Sequence, residues 1–221
     1  MRLLICNSKS WFRLNSVIEK QNIVKEISHQ EELTPKFIET FLPDFVFFVH
    51  WNWLVEKKIY EKSECIVFHT APLPYGRGGS PIQNLILEGF ETSPVCAIKM
   101  TAEIDSGPIY LSEEVSLKDD LGSIFSRINA AINNLILEIT TKRLTPSPQV
   151  GKPFVFKRLG VDSNAIPEGA NLKDIYDRVR MLDHPDYPNA YIQFGAARLE
   201  FSNASFSEET LELTCRIKKL K

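Results

Sequence analysis

Cysteine is scarce: four residues in 221, Cys6, Cys65, Cys96 and Cys215, and they stand far apart. That scatter excludes both a zinc-type ligand spacing and the density of a disulfide framework, so no metal is expected. Three of the four lie in apolar or strand-like segments and read as small buried hydrophobes. An excess of one charge is missing too, with 26 Lys and Arg against 28 Asp and Glu for a formal net charge of -2. A general nucleic-acid binder would show a basic footprint, although one or two local basic residues can still hold a phosphate. No apolar run approaches the roughly 20 residues that cross a bilayer. The start, Met1 to Cys6, turns polar at Asn7, too early for a signal peptide. No membrane partner is therefore expected, and a reducing cytoplasm is the expected compartment. Finally, no G-x-G-x-x-G follows the first strand-like segment, which argues against a dinucleotide site. No repeat or low-complexity tract is present.

What the chain does contain reads as an α/β layout. Residues 2–6 predict a first strand, the Leu14, Val17, Ile18 spacing a helical turn or two, and Ile23-Val24 the opening of a second strand. Thr34-Pro35 predicts a helix over about 35–41, with threonine as N-cap and proline in the first turn. The unbroken apolar run Phe45 to Val49 has the pattern of a central parallel strand. A surface helix near Leu54 to Ile59 and a buried strand at Ile66 to Phe68 follow. After a Gly/Pro-rich loop over 70–81, a helix is expected at 82–88 and strands at 95–100 and 109–111. The clearest helix spans 121–139, where Leu121, Ile124, Phe125, Ile128, Ile132, Leu135, Ile136 and Ile139 form one broad apolar stripe. The Thr145-Pro146-Ser147-Pro148 stretch marks a boundary. A helix at 171–181 and strands at 192–194, 198–201 and 211–217 then suggest a small β-rich subdomain. The expected division is residues 1–150 and 151–221.

Two segments concentrate chemistry. His69-Thr70-Ala71-Pro72-Leu73-Pro74-Tyr75-Gly76-Arg77-Gly78-Gly79-Ser80-Pro81 follows a buried strand, the usual place for binding sites in open α/β sheets. A histidine there can accept a proton from an attacking amine, or it can be a satisfied structural residue. Asp105, in Glu103-Ile104-Asp105-Ser106-Gly107-Pro108-Ile109, could orient His69 and favour its protonated form, or it could accept hydrogen bonds from its own turn.

Together these segments resemble the folate-dependent formyltransferases. That family's usual loop, Asn-x-His followed by a Leu-Leu-Pro and an Arg-Gly turn, is similar to Val67-Phe68-His69-Thr70-Ala71-Pro72-Leu73-Pro74 with Arg77-Gly78. Its later Asp-x-Gly-x-Ile is similar to Asp105 to Ile109. Lys157-Arg158 and the Arg180 to Pro185 stretch with Asn189-Ala190-Tyr191 are similar to the end of its catalytic domain and the start of its small C-terminal domain. The likeness spans about residues 43–195. It implies a Rossmann-like parallel or mixed sheet as the core, with N10-formyltetrahydrofolate as formyl donor. It further implies His69 and Asp105 as catalytic residues and Val49, His50, Ile104, Gly107 and Tyr110 beside the folate. Pro74, Arg77, Gly78, Gln83 and Asn84 are the expected acceptor-side residues. The small C-terminal appendage points to the sugar N-formyltransferase branch, with a nucleotide-linked aminosugar as partner, a role in surface polysaccharide biosynthesis, and a homodimer among the expected assemblies.

One position departs from the pattern. The family's asparagine two residues before the histidine is replaced by Val67, which has no polar donor. Losing one donor to the developing formyl oxygen costs about 3 to 4 kcal/mol. The expected compensation is chiefly a charged His69, then water, with Thr70 and Asn52 as side-chain substitutes. Other folate-dependent formyl transfer and formyl hydrolysis are alternatives, as is a non-catalytic nucleotide-sugar binding protein with a degenerate site, which rests on Val67.

Overall fold

In a computed structural model, which describes residues 1–142 and 144–220, the chain alternates strands and helices. The first half comprises β1 (Arg2–Asn7), α1 (Ser16–Gln21), β2 (Ile23–Ile27), α2 (Pro35–Phe41), β3 (Phe45–Val49), α3 (Lys57–Tyr60), β4 (Cys65–Thr70), β5 (Tyr75–Gly78) and α4 (Pro81–Leu87). There follow β6 (Thr92–Lys99), β7 (Ile109–Ser116), α5 (Leu121–Thr141), β8 (Phe154–Phe156), α6 (Leu172–Arg180), β9 (Ala190–Phe194), β10 (Ala197–Phe206) and β11 (Leu211–Lys219). The α2 start is as the sequence dictates: the Thr34 hydroxyl accepts from the Phe37 N–H at 3.1 Å, and Pro35 stands in the first turn. Where the sequence suggests a strand at Ile66 to Phe68 only, β4 continues through His69 to Thr70.

Six strands form one sheet in the order β2-β1-β3-β4-β6-β7. The β1–β2, β1–β3 and β3–β4 pairs are parallel, and β4–β6 is antiparallel, so the sheet is mixed. Parallel strands covered on both faces need apolar residues at every position, and β1 and β3 supply them in Leu3 to Cys6 and Val46 to Val49, all at most 1% exposed. One face packs Leu4, Cys6, Val46, Phe48 and Cys65 with Ile38 of α2 and Ile59 of α3, and Trp51, Val67 and Met100 pack against that cluster. Strand alternation sends Leu3, Ile5 and Phe47 to the other face. The α5 stripe is buried throughout, from Leu121 to Ile139. A two-stranded sheet of β5 and β8 completes this part, with Tyr75 stacked on Phe154 at 4.9 Å.

The sequence suggests one boundary near residue 150, whereas the compact units interleave. The first holds Met1–Gly78, Pro94–Val115 and Ile128–Val155, and the second holds Gly79–Ser93, Ser116–Arg127 and Phe156–Lys221. Hydrogen bonds tie the earlier segments of the second unit to its C-terminal part: Gln83 Nε2 donates to the Met181 carbonyl, and the Arg180 guanidinium donates to the carbonyls of Leu117 and Asp119. Arg180 is itself buried and paired with Asp177 at 2.6 Å. An antiparallel sheet ordered β11-β10-β9 ends the chain. Among the described residues no helix is long and apolar enough to cross a membrane.

Candidate active site

The site is built on the first unit from β4, β5 and the loop that follows β6. Period-two alternation along β4 puts His69 on the same face as Cys65 and Val67. The imidazole is 7% exposed. The chain then reverses through Pro72 and Pro74 into β5, which brings the Gly76 carbonyl to 2.7 Å from His69 Nε2. Gly76 holds φ at 84°, a backbone conformation that glycine adopts without strain.

Asp105 comes from the β6–β7 connection. That turn is tight: the Lys99 N–H donates to the Pro108 carbonyl, and a Cβ on Gly107 would lie 1.7 Å from the Lys99 carbonyl oxygen. Only glycine fits there. Asp105 itself sits in the left-handed region at φ 52°, tolerated better by Asp than by most residues. Its Oδ2 lies 3.5 Å from His69 Nδ1 and accepts the Gly78 N–H at 2.9 Å. Gln149 fixes the loop from behind. Its Nε2 donates to the Asp105 and Gly107 carbonyls at 2.8 and 2.9 Å, and its Oε1 accepts from Arg77.

The two ring nitrogens of His69 thus face a carbonyl and a carboxylate. Nε2 is within hydrogen-bond distance of the Gly76 carbonyl, and the Asp105 Oδ2 that faces Nδ1 also accepts the Gly78 N–H. This arrangement leaves the ring no free N–H for a developing oxyanion. The expected compensation for Val67 by His69 therefore meets a geometric obstacle, because Nε2 is already committed to Gly76. Thr70 follows His69 in the strand, so alternation points its hydroxyl to the opposite face, and Asn52 is exposed to solvent.

The other expected residues divide into three groups. Val49 is fully buried, which leaves only its main chain to meet a ligand. The His50 imidazole is engaged at 3.0 Å by Asn129 Oδ1 and packs on Trp11 and Phe12; burial lowers its pKa to about 4. Ile104 is 61% exposed beside Asp105. The Tyr110 hydroxyl donates to Glu64, which precedes β4 at the strand end opposite His69. Burial and that carboxylate push the phenol pKa well up. Gly78 meets the pair through its N–H on Asp105, the Arg77 guanidinium reaches Gln149 and, at 3.5 Å, Glu103, and Pro74 immediately precedes β5. Gln83 and Asn84 lie in the second unit. Neither is a solvated helix residue, as Gln83 is 4% exposed, and Asn84 Nδ2 donates to the carbonyls of Gly79, Ser80 and Lys157.

Gln149 and the Gly76 carbonyl were not legible in the sequence. The first hides in a Pro-rich boundary, and the second is a main-chain atom placed by a reversal. The buried thiols carry no reactive signature: burial raises Cys65 to about 12 and Cys96 to about 11. Among the described residues no cluster of His, Cys, Asp and Glu could hold a metal.

Comparison with known proteins adds the following. Residues 161–218 match a family model described as the methionyl-tRNA formyltransferase C-terminal domain. A solved structure described as methionyl-tRNA formyltransferase from Clostridium thermocellum is 36% identical, covers 99% of both chains and superposes with a TM-score of 0.93. A likely sugar N-formyltransferase from Mycobacterium tuberculosis is 19% identical, with 88% of this chain and 92% of that one covered and a TM-score of 0.69. HypX from Aquifex aeolicus in complex with tetrahydrofolic acid is 18% identical, with 95% of this chain and 38% of that one covered and a TM-score of 0.79. The last two likenesses show a shared fold alone.

Proposed function

Because the chain belongs to the formyltransferase family, we propose that it moves a formyl group from N10-formyltetrahydrofolate to the amine of a nucleotide-linked aminosugar. The observation that carries this reading is the 3.5 Å approach of His69 Nδ1 to Asp105 Oδ2 in a nearly buried setting. In such a pair the histidine handles the proton and the carboxylate orients and stabilises its charged form. The acceptor nitrogen bonds to the formyl carbon as the carbonyl electron pair moves onto oxygen. The amine proton passes to the His69–Asp105 pair, and the departing N10 nitrogen, whose bond to the formyl carbon breaks, takes up a proton in return. The products are a formamide and tetrahydrofolate. The fold shared with the tetrahydrofolate-bound HypX structure supports a folate-type donor.

The acceptor is read from charge. Over residues 161–218, the segment matching the C-terminal family model, ten acidic residues stand against six basic ones. A surface that grips RNA needs the reverse balance, so a small acceptor fits better. The methionyl-tRNA amine is the second reading, favoured by the description of the Clostridium thermocellum structure.

The test is product mass after incubation with N10-formyltetrahydrofolate and a panel of UDP-, dTDP-, GDP- and CMP-linked aminosugars, with methionyl-tRNA alongside. Formylation of one aminosugar class supports the proposal, and formylation of the tRNA alone replaces it with the second reading. Folate turnover without a formylated acceptor would indicate hydrolysis, and binding without turnover a non-catalytic protein.

A further inference from the structure

Three buried side-chain nitrogens lack a hydrogen-bond partner among the described residues: Trp51 Nε1, Arg178 Nε and Arg198 Nε. The arginines have other engagements. Arg178 Nη1 donates to the Ser163 carbonyl, and the Arg198 guanidinium lies over the Tyr191 ring. Trp51 has one polar atom only, and a buried N–H with no acceptor is costly enough that each instance calls for an explanation.

Its location supplies one. Trp51 stands just past the C-terminal end of β3, next to β4, and the chain reaches it through His50, which adopts φ 49°. That left-handed residue is pinned on two sides, by Ser8 Oγ donating to its carbonyl and by Asn129 on its ring. The bend folds the indole back onto the sheet, edge-on to Phe48 with centroids 6.0 Å apart. Trp53 also packs against it, with ring centroids 4.8 Å apart. Phe48 is the β-ladder partner of Val67. Trp51 and Val67 also pack against the same apolar cluster. The orphan donor thus belongs to a side chain that packs, with Val67, against the cluster holding Phe48, and Val67 is the β4 residue that lacks the expected amide, two residues before His69.

We infer that the Trp51 indole N–H is the hydrogen-bond donor to the formyl oxygen, in the role for which Val67 has no polar atom; this rests on the formyl-transfer reading above. It fits the His69 geometry, in which both ring nitrogens face oxygens already. A fixed N–H in a water-poor site costs no reorganisation when charge develops, and removing one such donor lowers kcat by about 100- to 1,000-fold.

The test compares wild type, Trp51→Phe and Trp51→Phe/Val67→Asn. Phenylalanine keeps an aromatic ring on Phe48 while removing the N–H together with the rest of the five-membered ring, and the asparagine in the double variant restores a donor without restoring that packing. The expected result is a kcat loss of about 100-fold with acceptor KM little changed, partly restored by the asparagine. A Trp51→Phe enzyme within about threefold of wild-type kcat overturns the inference. An activity-independent arm records the Trp51 indole N–H proton resonance, assigned by its absence from Trp51→Phe, with an N10-formyl-dideazafolate and its unformylated counterpart, each in the absence of any acceptor. A downfield move with the formylated compound alone supports the inference, and equal or absent moves overturn it. Wild type that turns over no acceptor refutes the transfer reading instead, and the resonance still decides whether Trp51 meets a formyl group.

Discussion

Asp105 holds its carboxylate between a histidine ring and a backbone amide, and it does so from a left-handed backbone. Replacing it with asparagine keeps the shape and removes the charge that faces the His69 ring. Asp105→Asn should therefore lower kcat at least about 100-fold, on the order of 3 kcal/mol, without a matching rise in acceptor KM. Steady-state constants from pH 5.5 to 9 check this, and a loss of only a few-fold throughout would show that the carboxylate does not support the histidine. His50 makes a prediction about stability. Its pKa falls to about 4 from an ordinary 6.5, so unfolding takes up a proton between those values. Stability should be unaffected above pH 6.5 and decline as pH falls toward 4, by at most about 3 kcal/mol. Urea midpoints of wild type and His50→Asn measure it, since asparagine tolerates the same positive φ and does not titrate. Equal pH slopes for the two proteins would refute that account.

At the scale of elements, the sequence revealed the strands and helices that carry periodic apolar residues. The α2 cap, the β3 run and the α5 stripe are physical patterns local to a few turns, and each stands where that pattern puts it. The β5–β8 pairing left no such trace: Tyr75-Gly76-Arg77-Gly78 has two glycines, and its partner strand lies some eighty residues away. The site was legible to the same extent. His69 and Asp105 announce themselves by chemistry at strand-associated turns. Gln149 and the Gly76 carbonyl meet the pair and its loop through positions that only the three-dimensional reversal creates, and Trp51, a tryptophan after a hydrophobic strand, reads as core. Gln149 gives the prediction at this level. Losing its bonds to the Asp105 and Gly107 carbonyls lets the carboxylate proposed as catalytic drift, and small misplacements cost rate steeply. Gln149→Ala should cut kcat by about tenfold or more while the thermal midpoint moves little. An unchanged kcat would remove Gln149 from the positioning framework.

Across the whole molecule, charge is what separates one acceptor from another. With a net charge of -2 and an acidic balance over residues 161–218, the chain offers little to a polyanion. Transfer should accordingly show weak salt dependence, whereas a protein contacting 6–10 phosphates loses about 10³–10⁵ in affinity between 50 and 200 mM salt. Acceptor kcat/KM across that range checks the point, and a collapse of that size would favour an RNA acceptor. The measurement that bears most directly on formyl transfer through His69 uses N10-formyltetrahydrofolate carrying an isotope-labelled formyl group. Wild type and His69→Ala are each given the aminosugar panel, and the label is followed by mass. The account predicts label in the amide of one aminosugar class with wild type and none with His69→Ala, whose fold should remain intact. Label left on the folate with every acceptor, or undiminished transfer by His69→Ala, would contradict it.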